Sequence, residues 1–138
     1  MYCDIRVAVE DAKFGVPVTD IGQIPTGGST RRAIELVGEA KAKELVYTAG
    51  YLDAEDAEAI GLVNHAVPPK ELDATVDEIV DGITDTGTKA VKNSKRAMNF
   101  AAQTSDLDTA REFEAEVWWD QFATEERRQL VDEFNEDE

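Results

Sequence analysis

A short stretch between residues 24 and 32, IPTGGSTRR, has the residue types best suited to ligand binding. Gly27 and Gly28 free the backbone there, and Arg31 and Arg32 place two positive charges on the first turn of a predicted helix. A phosphate-binding loop needs several backbone N–H groups at a helix N-terminus, usually with a lysine. The stretch has no lysine and fits neither G-x-G-x-x-G nor G-x-x-x-x-G-K-[ST]. The spacing of these residues therefore favours a plain loop followed by a helix start. An anion-binding site is the alternative, because the two arginines could attract a negative charge.

Acid–base chemistry needs carboxylates in differently tuned environments, and one acid stands out for it. Asp20 lies between Thr19 and Ile21, close to the glycine stretch, and is the one acid that we expect to be semi-buried. The other acids fall on the polar faces of predicted helices, where solvent surrounds them. Asp also serves turns readily, so a turn or capping role is favoured for Asp20 and a catalytic role is the alternative.

Nucleophilic and metal chemistry have little support in the sequence. His65 lies in LVNHAV without a neighbouring Ser, Cys or acid, which favours an ordinary strand histidine over a general base. Cys3 is the only cysteine, and we interpret it as a small apolar strand residue. One Cys and one His cannot form a disulfide framework or a zinc site, so no metal is expected.

The composition indicates an acidic globular protein. The 138 residues are 42% hydrophobic and carry 30 acidic against 14 basic side chains, a net charge of −16. Such a chain repels phosphate backbones and anionic membranes, which argues against nucleic-acid binding. Because the acids alternate with periodic apolar residues, we expect a folded acidic surface adapted to high salt, and therefore a salt-loving source. With no apolar run near the ~20 residues of a membrane span, the predicted location is the cytoplasm.

The first half of the chain predicts strands and loops followed by helices. Alternation at Ile5, Val7 and Val9 indicates a strand, and KFGVPV indicates a short second extended segment. A helical pattern begins near Thr30, with Ser29 or Thr30 as its cap, and continues beyond Gly38. Further signals are a helix capped by Asp53 and stopped by Gly61, and a strand in LVNHAV that ends at Pro68-Pro69.

The second half predicts four helices. Ser105-x-x-Asp108 is a capping pattern for the third of them, and Thr124 is the predicted cap of the last. An aromatic stripe at helical spacing favours packing in a core or a subunit interface; its members are Phe113, Trp118, Trp119 and Phe122. The predicted organisation is a core of strands, loops and helices over 1–69 and a helical region over 70–138, as in the back half of an α/β or α+β protein.

Four ordered motifs together resemble the crotonase superfamily, the enoyl-CoA hydratase/isomerase family. CDIRVAVEDAKFGVP resembles the family's strand and F-G-x-P turn, and IGQIPTGGSTRRAIELVGEAKAKELVYTA resembles its G-x-x-P-x-x-G-G-x-x-R loop with the helix that follows. DAEDAEAIGLVNHAVP is similar to the family's AEEA…GLVN segment, and FATEERRQLVDEF to its F.TED motif near the C-terminus. The resemblance covers almost the whole chain.

The resemblance implies an α/β fold: a spiral of ββα units, here its C-terminal portion, followed by helices that assemble trimers or dimers of trimers. It implies acyl-CoA thioester substrates and no cofactor besides the coenzyme A of the substrate. In such enzymes two backbone N–H groups stabilise the thioester enolate. The hydratases use two glutamates to add water across an α,β double bond, and the isomerases move a proton with one or two carboxylates.

The sequence also departs from the family pattern. Such proteins are about twice this long, and the motif order places both oxyanion-hole loops and the first glutamate before Met1. The second glutamate of the hydratases corresponds to Val18, which cannot transfer a proton, so the two-glutamate mechanism is unsupported. Thr26 occupies a position where some members carry an acid. The basic tail that often reaches the phosphates of coenzyme A is replaced by NEDE.

The resemblance therefore gives two functional hypotheses. The first is an enoyl-CoA hydratase or isomerase in which Asp20 substitutes as the catalytic acid, although the chain alone is expected to be inactive in hydration. The second is a catalytically silent piece that binds acyl-CoA, or that assembles with like subunits or with the missing N-terminal half. The residues expected to line the acyl-CoA pocket are Phe14, Val18, Pro25, Thr26, Gly27, Gly28 and Phe122.

Overall fold

The computed structural model describes residues 1–136 and shows a helix-rich α/β chain. Asp137 and Glu138, the end of the predicted acidic tail, lie outside the described residues. The strands are β1 (Val7–Val9), β2 (Phe14–Gly15), β3 (Tyr51–Leu52) and β4 (His65–Val67). The helices are α1 (Ser29–Val37), α2 (Glu39–Tyr47), α3 (Ala54–Ala59), α4 (Leu72–Thr84), α5 (Thr88–Ala101), α6 (Leu107–Phe122) and α7 (Glu125–Glu136). Short 3₁₀ helices occupy Pro17–Ile21 and Pro69–Glu71.

The chain divides into two compact units. The first unit is Met1–Asp77 and holds the four strands with α1 to α3, whereas the second unit, Glu78–Glu138, is helical in the part that the structure describes. The division falls inside α4, between Asp77 and Glu78, whereas the predicted boundary lies between residues 69 and 70 and stays a prediction. Four helices follow residue 70 in the described part of the chain, as the periodicity predicts.

Two small sheets organise the first unit. β1 pairs in parallel with β4, with Val7 opposite His65 and Val9 opposite Val67. β2 pairs antiparallel with β3, and Gly15 lies opposite Tyr51. The three predicted extended segments are confirmed, while β3 escaped prediction because a two-residue strand carries almost no alternation. Gly15 is required at this pairing, since a Cβ atom there would lie 2.7 Å from the Gly50 carbonyl oxygen.

The first strand begins later than the alternation predicts. Ile5 lies before β1, because the backbone of Arg6 bonds to Asn64 rather than to a strand residue. The N–H of Arg6 donates to Oδ1 of Asn64 (2.9 Å), and the Arg6 carbonyl accepts from the N–H of Asn64 (2.7 Å). This exchange joins the residue before β1 to the residue before β4. It therefore fixes the parallel register from outside the strands.

Helix ends in the first unit follow the predicted signals. Gly38, at φ +78°, separates α1 from α2, so the predicted helix is two helices rather than one. Oδ1 of Asp53 accepts from the N–H of Asp56 (2.9 Å), which confirms the predicted cap of α3. Gly61, at φ +76°, lies just past the end of α3, where a left-handed residue is the usual stop.

In the second unit, one of the two predicted N-cap residues is correct and the other is wrong. Thr124 caps α7 as predicted, because its hydroxyl accepts from the N–H of Arg127 (3.2 Å). The cap of α6 is Asp106 and not the predicted Ser105, since Oδ1 of Asp106 accepts from the N–H of Thr109 (2.6 Å). That N–H donor holds the pKa of the Asp106 carboxyl below its usual range.

The core of the first unit is built mainly from alanine, with leucine and valine beside it. In the first unit Ala54 and Ala57 are 0% exposed and pack with Ala8, Leu62 and Val63. No large side chain is fully buried anywhere in residues 1–136.

The second unit contains one buried apolar side chain and one buried amide among its described residues. Val117 on α6 and Asn93 on α5 are both buried. Nδ2 of Asn93 donates to Oε1 of Gln121 (3.1 Å), and its Oδ1 accepts from Nη1 of Arg96 (3.2 Å). The amide therefore joins α5 to α6 with both of its polar atoms satisfied.

Candidate functional site

Val18 and Asp20 lie on the 3₁₀ helix Pro17–Ile21, which is fixed to α2. Pro17 starts the helix, where its fixed φ is favourable, and Gly22 ends it at φ +70°. The hydroxyl of Thr19 donates to the Val46 carbonyl near the end of α2 (2.7 Å). This bond orients the 3₁₀ helix and decides which of its side chains face the protein.

The expectation that Asp20 is semi-buried is wrong. Thr19 takes the side that faces α2, so Asp20 turns to solvent and is exposed, whereas Val18 is half-buried. Catalytic carboxylates usually lie in a cleft, and the solvent-exposed side of this 3₁₀ helix gives Asp20 no such surroundings. The catalytic role of Asp20 stays a prediction from the resemblance.

The glycine loop 25–28 has a left-handed backbone at both glycines. Gly27 and Gly28 have φ values of +66° and +80°, which only glycine adopts without strain. The cap of α1 is Gly28 with no side-chain bond, so the predicted cap at Ser29 or Thr30 is wrong. Ser29 already lies inside α1, and its hydroxyl instead donates to the Thr26 carbonyl (2.7 Å). That bond closes the loop on itself.

The loop is tied to the first residues of the chain. The hydroxyl of Tyr2 donates to the Gly27 carbonyl (2.7 Å), and Nε of Arg32 donates to the Met1 carbonyl (3.0 Å). A Cβ atom on Gly28 would lie 2.9 Å from the Tyr2 hydroxyl, so the second glycine also makes room for that contact. Sequence reasoning missed Tyr2, since no local pattern links positions 2 and 27.

Arg31 and Arg32, which follow the loop, both form ion pairs with the carboxylate of Glu35. Nε of Arg31 lies 2.7 Å from Oε1 of Glu35, and Nη1 of Arg32 lies 3.4 Å from Oε2. The hydrogen bond from Arg31 is the main cause that lowers the pKa of the Glu35 carboxyl. The two positive charges therefore serve α1 itself and do not point to an anion site.

Phe14 belongs to a different feature, an apolar cavity of about 270 Å³ inside the first unit. Side chains from β1, β2, α1 and α2 line it, Phe14, Ala33 and Leu45 among them. Val18 and the loop 25–28 are not among the lining residues. The structure thus brings the loop together with Tyr2, but it does not bring Phe14 into the same pocket as the loop.

Phe122, the last predicted pocket residue, lies in the second unit within an aromatic cluster. The cluster consists of Trp118, Trp119 and Phe122 on α6, with ring centroids 4.8 to 5.8 Å apart. The Arg127 guanidinium lies 4.2 Å from the Phe122 ring centroid, a cation–π distance. Trp118 and Trp119 are 52% and 63% exposed, so most of this apolar surface faces solvent. A pocket role for Phe122 stays a prediction.

The remaining candidates, His65 and Cys3, are exposed side chains. His65 lies in β4 with an exposed side chain, as expected for a strand histidine. Cys3 is exposed and precedes β1 rather than lying in a strand. Residues 1–136 contain no group of three His, Cys, Asp or Glu side chains placed to hold a metal ion. They also include no helix with the length and apolarity that a membrane crossing requires.

Solved structures define the class of fold. A crystal structure of an enoyl-CoA hydratase from Bacillus anthracis superposes with a TM-score of 0.94 at 34% identity, over 98% of this chain and 52% of that one. The fold is therefore that of the crotonases. The comparisons confirm the α/β class, but they do not confirm the placement of this chain in the C-terminal portion.

Sequence relatives give the family. The enoyl-CoA hydratase/isomerase family model matches residues 1–138, and the chain belongs to this family. A short-chain-enoyl-CoA hydratase from Clostridium acetobutylicum is 43% identical over 136 residues, which are 99% of this chain and 52% of the relative. One from Clostridioides difficile is 40% identical over 134 residues, 97% of this chain and 86% of the relative. The chain thus spans about half the length of several relatives and most of one.

Proposed function

We propose that this chain supplies part of the acyl pocket of an enzyme that acts on short-chain enoyl-CoA thioesters, as a hydratase or an isomerase. The observation that carries the proposal is the family match over residues 1–138, together with relatives named short-chain-enoyl-CoA hydratases. The substrate brings its own coenzyme A, so the proposal includes no further cofactor.

The glycine loop supports the binding part of this proposal. Gly27 and Gly28 carry no side chains, are exposed, and hold a fixed backbone through the bonds of Tyr2 and Ser29. A rigid backbone without Cβ atoms lets a thioester tail approach closely. We assign Pro25 and Thr26 to the same wall of the pocket.

A second function, binding of acyl-CoA without hydration, is favoured by Val18. The resemblance places Val18 where the hydratases carry their second glutamate, and an aliphatic side chain neither takes nor gives a proton. Asp20 is exposed two residues further on, at the solvent side of the same 3₁₀ helix. The residues described here therefore support binding more strongly than the addition of water.

Crotonyl-CoA tests both functions with the 138-residue chain. We expect the chain to bind crotonyl-CoA, as measured by equilibrium dialysis, without loss of the enoyl thioester absorbance. When the chain is co-produced with the half of the Clostridium acetobutylicum relative that it does not match, Val18→Glu is expected to introduce hydration at least about 10²-fold above Val18→Gln, which has the same shape but no acid, since a placed general acid or base contributes 10²–10⁴-fold. Absence of binding would refute the proposed function. Hydration by the unmodified chain that disappears in Asp20→Asn would instead make Asp20 the catalytic acid.

We also propose that the chain self-associates through the aromatic cluster. Three exposed aromatic rings on one helix form an apolar patch of the kind that marks protein contacts. The net charge of −16 opposes association at low salt, and screening removes that opposition. A salt-rich source and a cytoplasmic location, both predicted from composition, belong to this proposal.

Light scattering tests the association. We expect an oligomeric mass at molar salt and a smaller one at low salt. Trp119→Glu should reduce the mass at molar salt, whereas Tyr47→Glu, which changes an exposed aromatic residue of the first unit, should leave it unchanged. A monomeric mass for the unmodified chain at molar salt would count against the proposal.

A further inference from the structure

The two glycines of the loop 25–28 leave different amounts of space for a neighbour. A Cβ atom added to Gly27 would have no heavy atom of the described residues within 4 Å, its chain neighbours aside. A Cβ atom added to Gly28 would lie 2.9 Å from the Tyr2 hydroxyl. The space that a side chain would take is therefore open at Gly27, whereas the Tyr2 phenol fills it at Gly28.

Tyr2 is held in this place at both of its ends. Its hydroxyl donates to the Gly27 carbonyl (2.7 Å), and the carbonyl of Met1 before it accepts from Nε of Arg32 on α1 (3.0 Å). Because α1 begins directly after the loop, both bonds join Tyr2 to one short segment of the chain. Tyr2 is also 67% exposed, so a ligand on the loop can contact its ring.

The hydroxyl bond fixes the middle of the loop. The Thr26 and Gly28 carbonyls accept from donors within the next turn of the chain. The Gly27 carbonyl between them accepts from Tyr2, which is distant in sequence. Glycine has the greatest backbone freedom of all residues, so this bond restrains a peptide that would otherwise move. The hydroxyl of Tyr2 thus fixes the wall, and its ring closes one end of it.

We propose that Tyr2 determines the length of the acyl group that the chain accepts. An acyl group that lies on the open backbone at Gly27 meets the phenol at Gly28, so the pocket ends there and admits short acyl groups. Each methylene group buried on binding strengthens it by about fourfold, so a wall without this boundary would favour longer chains. The inference rests on the proposed function, the binding of enoyl-CoA thioesters, and adds the residue that sets its specificity.

Two thioesters of different length test the inference with the 138-residue chain. Equilibrium dialysis gives the dissociation constants of crotonyl-CoA and of the longer trans-2-octenoyl-CoA. We expect the unmodified chain to bind crotonyl-CoA more tightly, although the longer ester has more apolar surface. Tyr2→Ala should shift the ratio of the two constants at least about tenfold in favour of octenoyl-CoA, because the space of the phenol becomes free for further methylene groups.

Tyr2→Phe separates the effect of the ring from that of the hydroxyl. This variant keeps the ring but loses the bond to the Gly27 carbonyl, and a neutral hydrogen bond is worth roughly two- to tenfold in affinity. Both esters should therefore bind more weakly by the same factor, and the ratio should stay that of the unmodified chain. Tyr47→Ala, which removes another exposed tyrosine of the first unit, should change neither constant.

A double-mutant cycle tests the contact between Tyr2 and Gly28 without a ligand. Gly28→Ala should lower the urea midpoint less in the Tyr2→Ala background, since the new Cβ atom then meets no hydroxyl. Gly27→Ala is the matched control. Its φ of +66° brings similar backbone strain, but its Cβ atom faces open space, so its cost should be the same in both backgrounds.

The outcomes distinguish failure of the inference from failure of the proposed function. If crotonyl-CoA binds but the ratio is unchanged in Tyr2→Ala, or shifts equally in Tyr2→Phe, the inference is overturned and the proposed function stands. Tighter binding of octenoyl-CoA by the unmodified chain, or an equal cost of Gly28→Ala in both backgrounds, also overturns the inference alone. If no variant binds either ester, the proposed function is refuted and the inference with it.

Discussion

Ala57→Asp is expected to destabilise the first unit by about 3 to 5 kcal/mol, the usual cost of a buried charge without a partner. Ala57 is 0% exposed and packs among Ala54, Leu62 and Val63. Its carbonyl also accepts from the N–H groups of Leu62 (2.8 Å) and Val63 (3.2 Å), so the backbone has no freedom to turn the side chain outward. Since whole domains are stable by only about 5 to 15 kcal/mol, this one change removes a large share.

The measurement is urea unfolding of the purified chain, with Ala59→Asp as the matched control. Ala59 lies on the same helix α3 but is exposed, so the same new charge should cost little there. Equal urea midpoints for the two variants would show that burial of Ala57 does not stabilise the first unit.

Arg6→Met is the second large effect, expected to cost about 2 to 3 kcal/mol. The Arg6 guanidinium donates to four backbone carbonyls. Nε donates to Leu62 (2.6 Å), Nη1 to Cys3 (2.9 Å) and Asp4 (3.5 Å), and Nη2 to Gly61 (3.4 Å). Methionine keeps an unbranched apolar stem in the cavity wall but donates to none of them. Hydrogen bonds from charged groups contribute about 1.5–3 kcal/mol, and unpaired acceptors add to the loss.

Two further variants make this result specific. The unfolding midpoint of Arg6→Lys should lie between those of Arg6→Met and the unmodified chain, because an ammonium group reaches some of the carbonyls without the planar fork that reaches all four. Arg111→Met should change the midpoint very little, since Arg111 is exposed and pairs with Asp108 at 3.5 Å. If Arg6→Met unfolds with the midpoint of Arg111→Met, then Arg6 is not the residue that holds the 61–62 carbonyls.

Local signals predicted most of the fold. The β1 alternation, the Asp53 cap and the left-handed Gly61 are all decided within a few residues, and each is confirmed. The cap of α6 was wrong because Ser105 and Asp106 both suit that position, and only the geometry shows which oxygen reaches the N–H of Thr109. Two-residue strands depend on tertiary pairing rather than on periodicity, and the break between α1 and α2 lies at Gly38, whose φ is +78°.

The candidate site was predicted from ordered motifs and not from residue chemistry. Each residue on its own, including Asp20 and His65, favoured an ordinary structural role, and the family emerged only from four motifs in sequence order. What the sequence could not give are contacts between distant residues. Tyr2 with Gly27, Arg6 with Leu62, and Glu126 with the N–H of Lys89 at the start of α5 (3.0 Å) are all invisible to local patterns.

The aromatic residues divide between the two units in a way that gives the chain two separate optical reporters. Both tryptophans, Trp118 and Trp119, lie in the second unit, whereas all three tyrosines, Tyr2, Tyr47 and Tyr51, lie in the first. The indoles are also close enough, at 4.8 Å and 78° between planes, to couple as an exciton pair. Tryptophan fluorescence, excited at the red edge where tyrosine does not absorb, therefore reports on α6 alone, and so does the exciton band in circular dichroism. Tyrosine emission follows the first unit, so each half of the chain can be watched melting without a label.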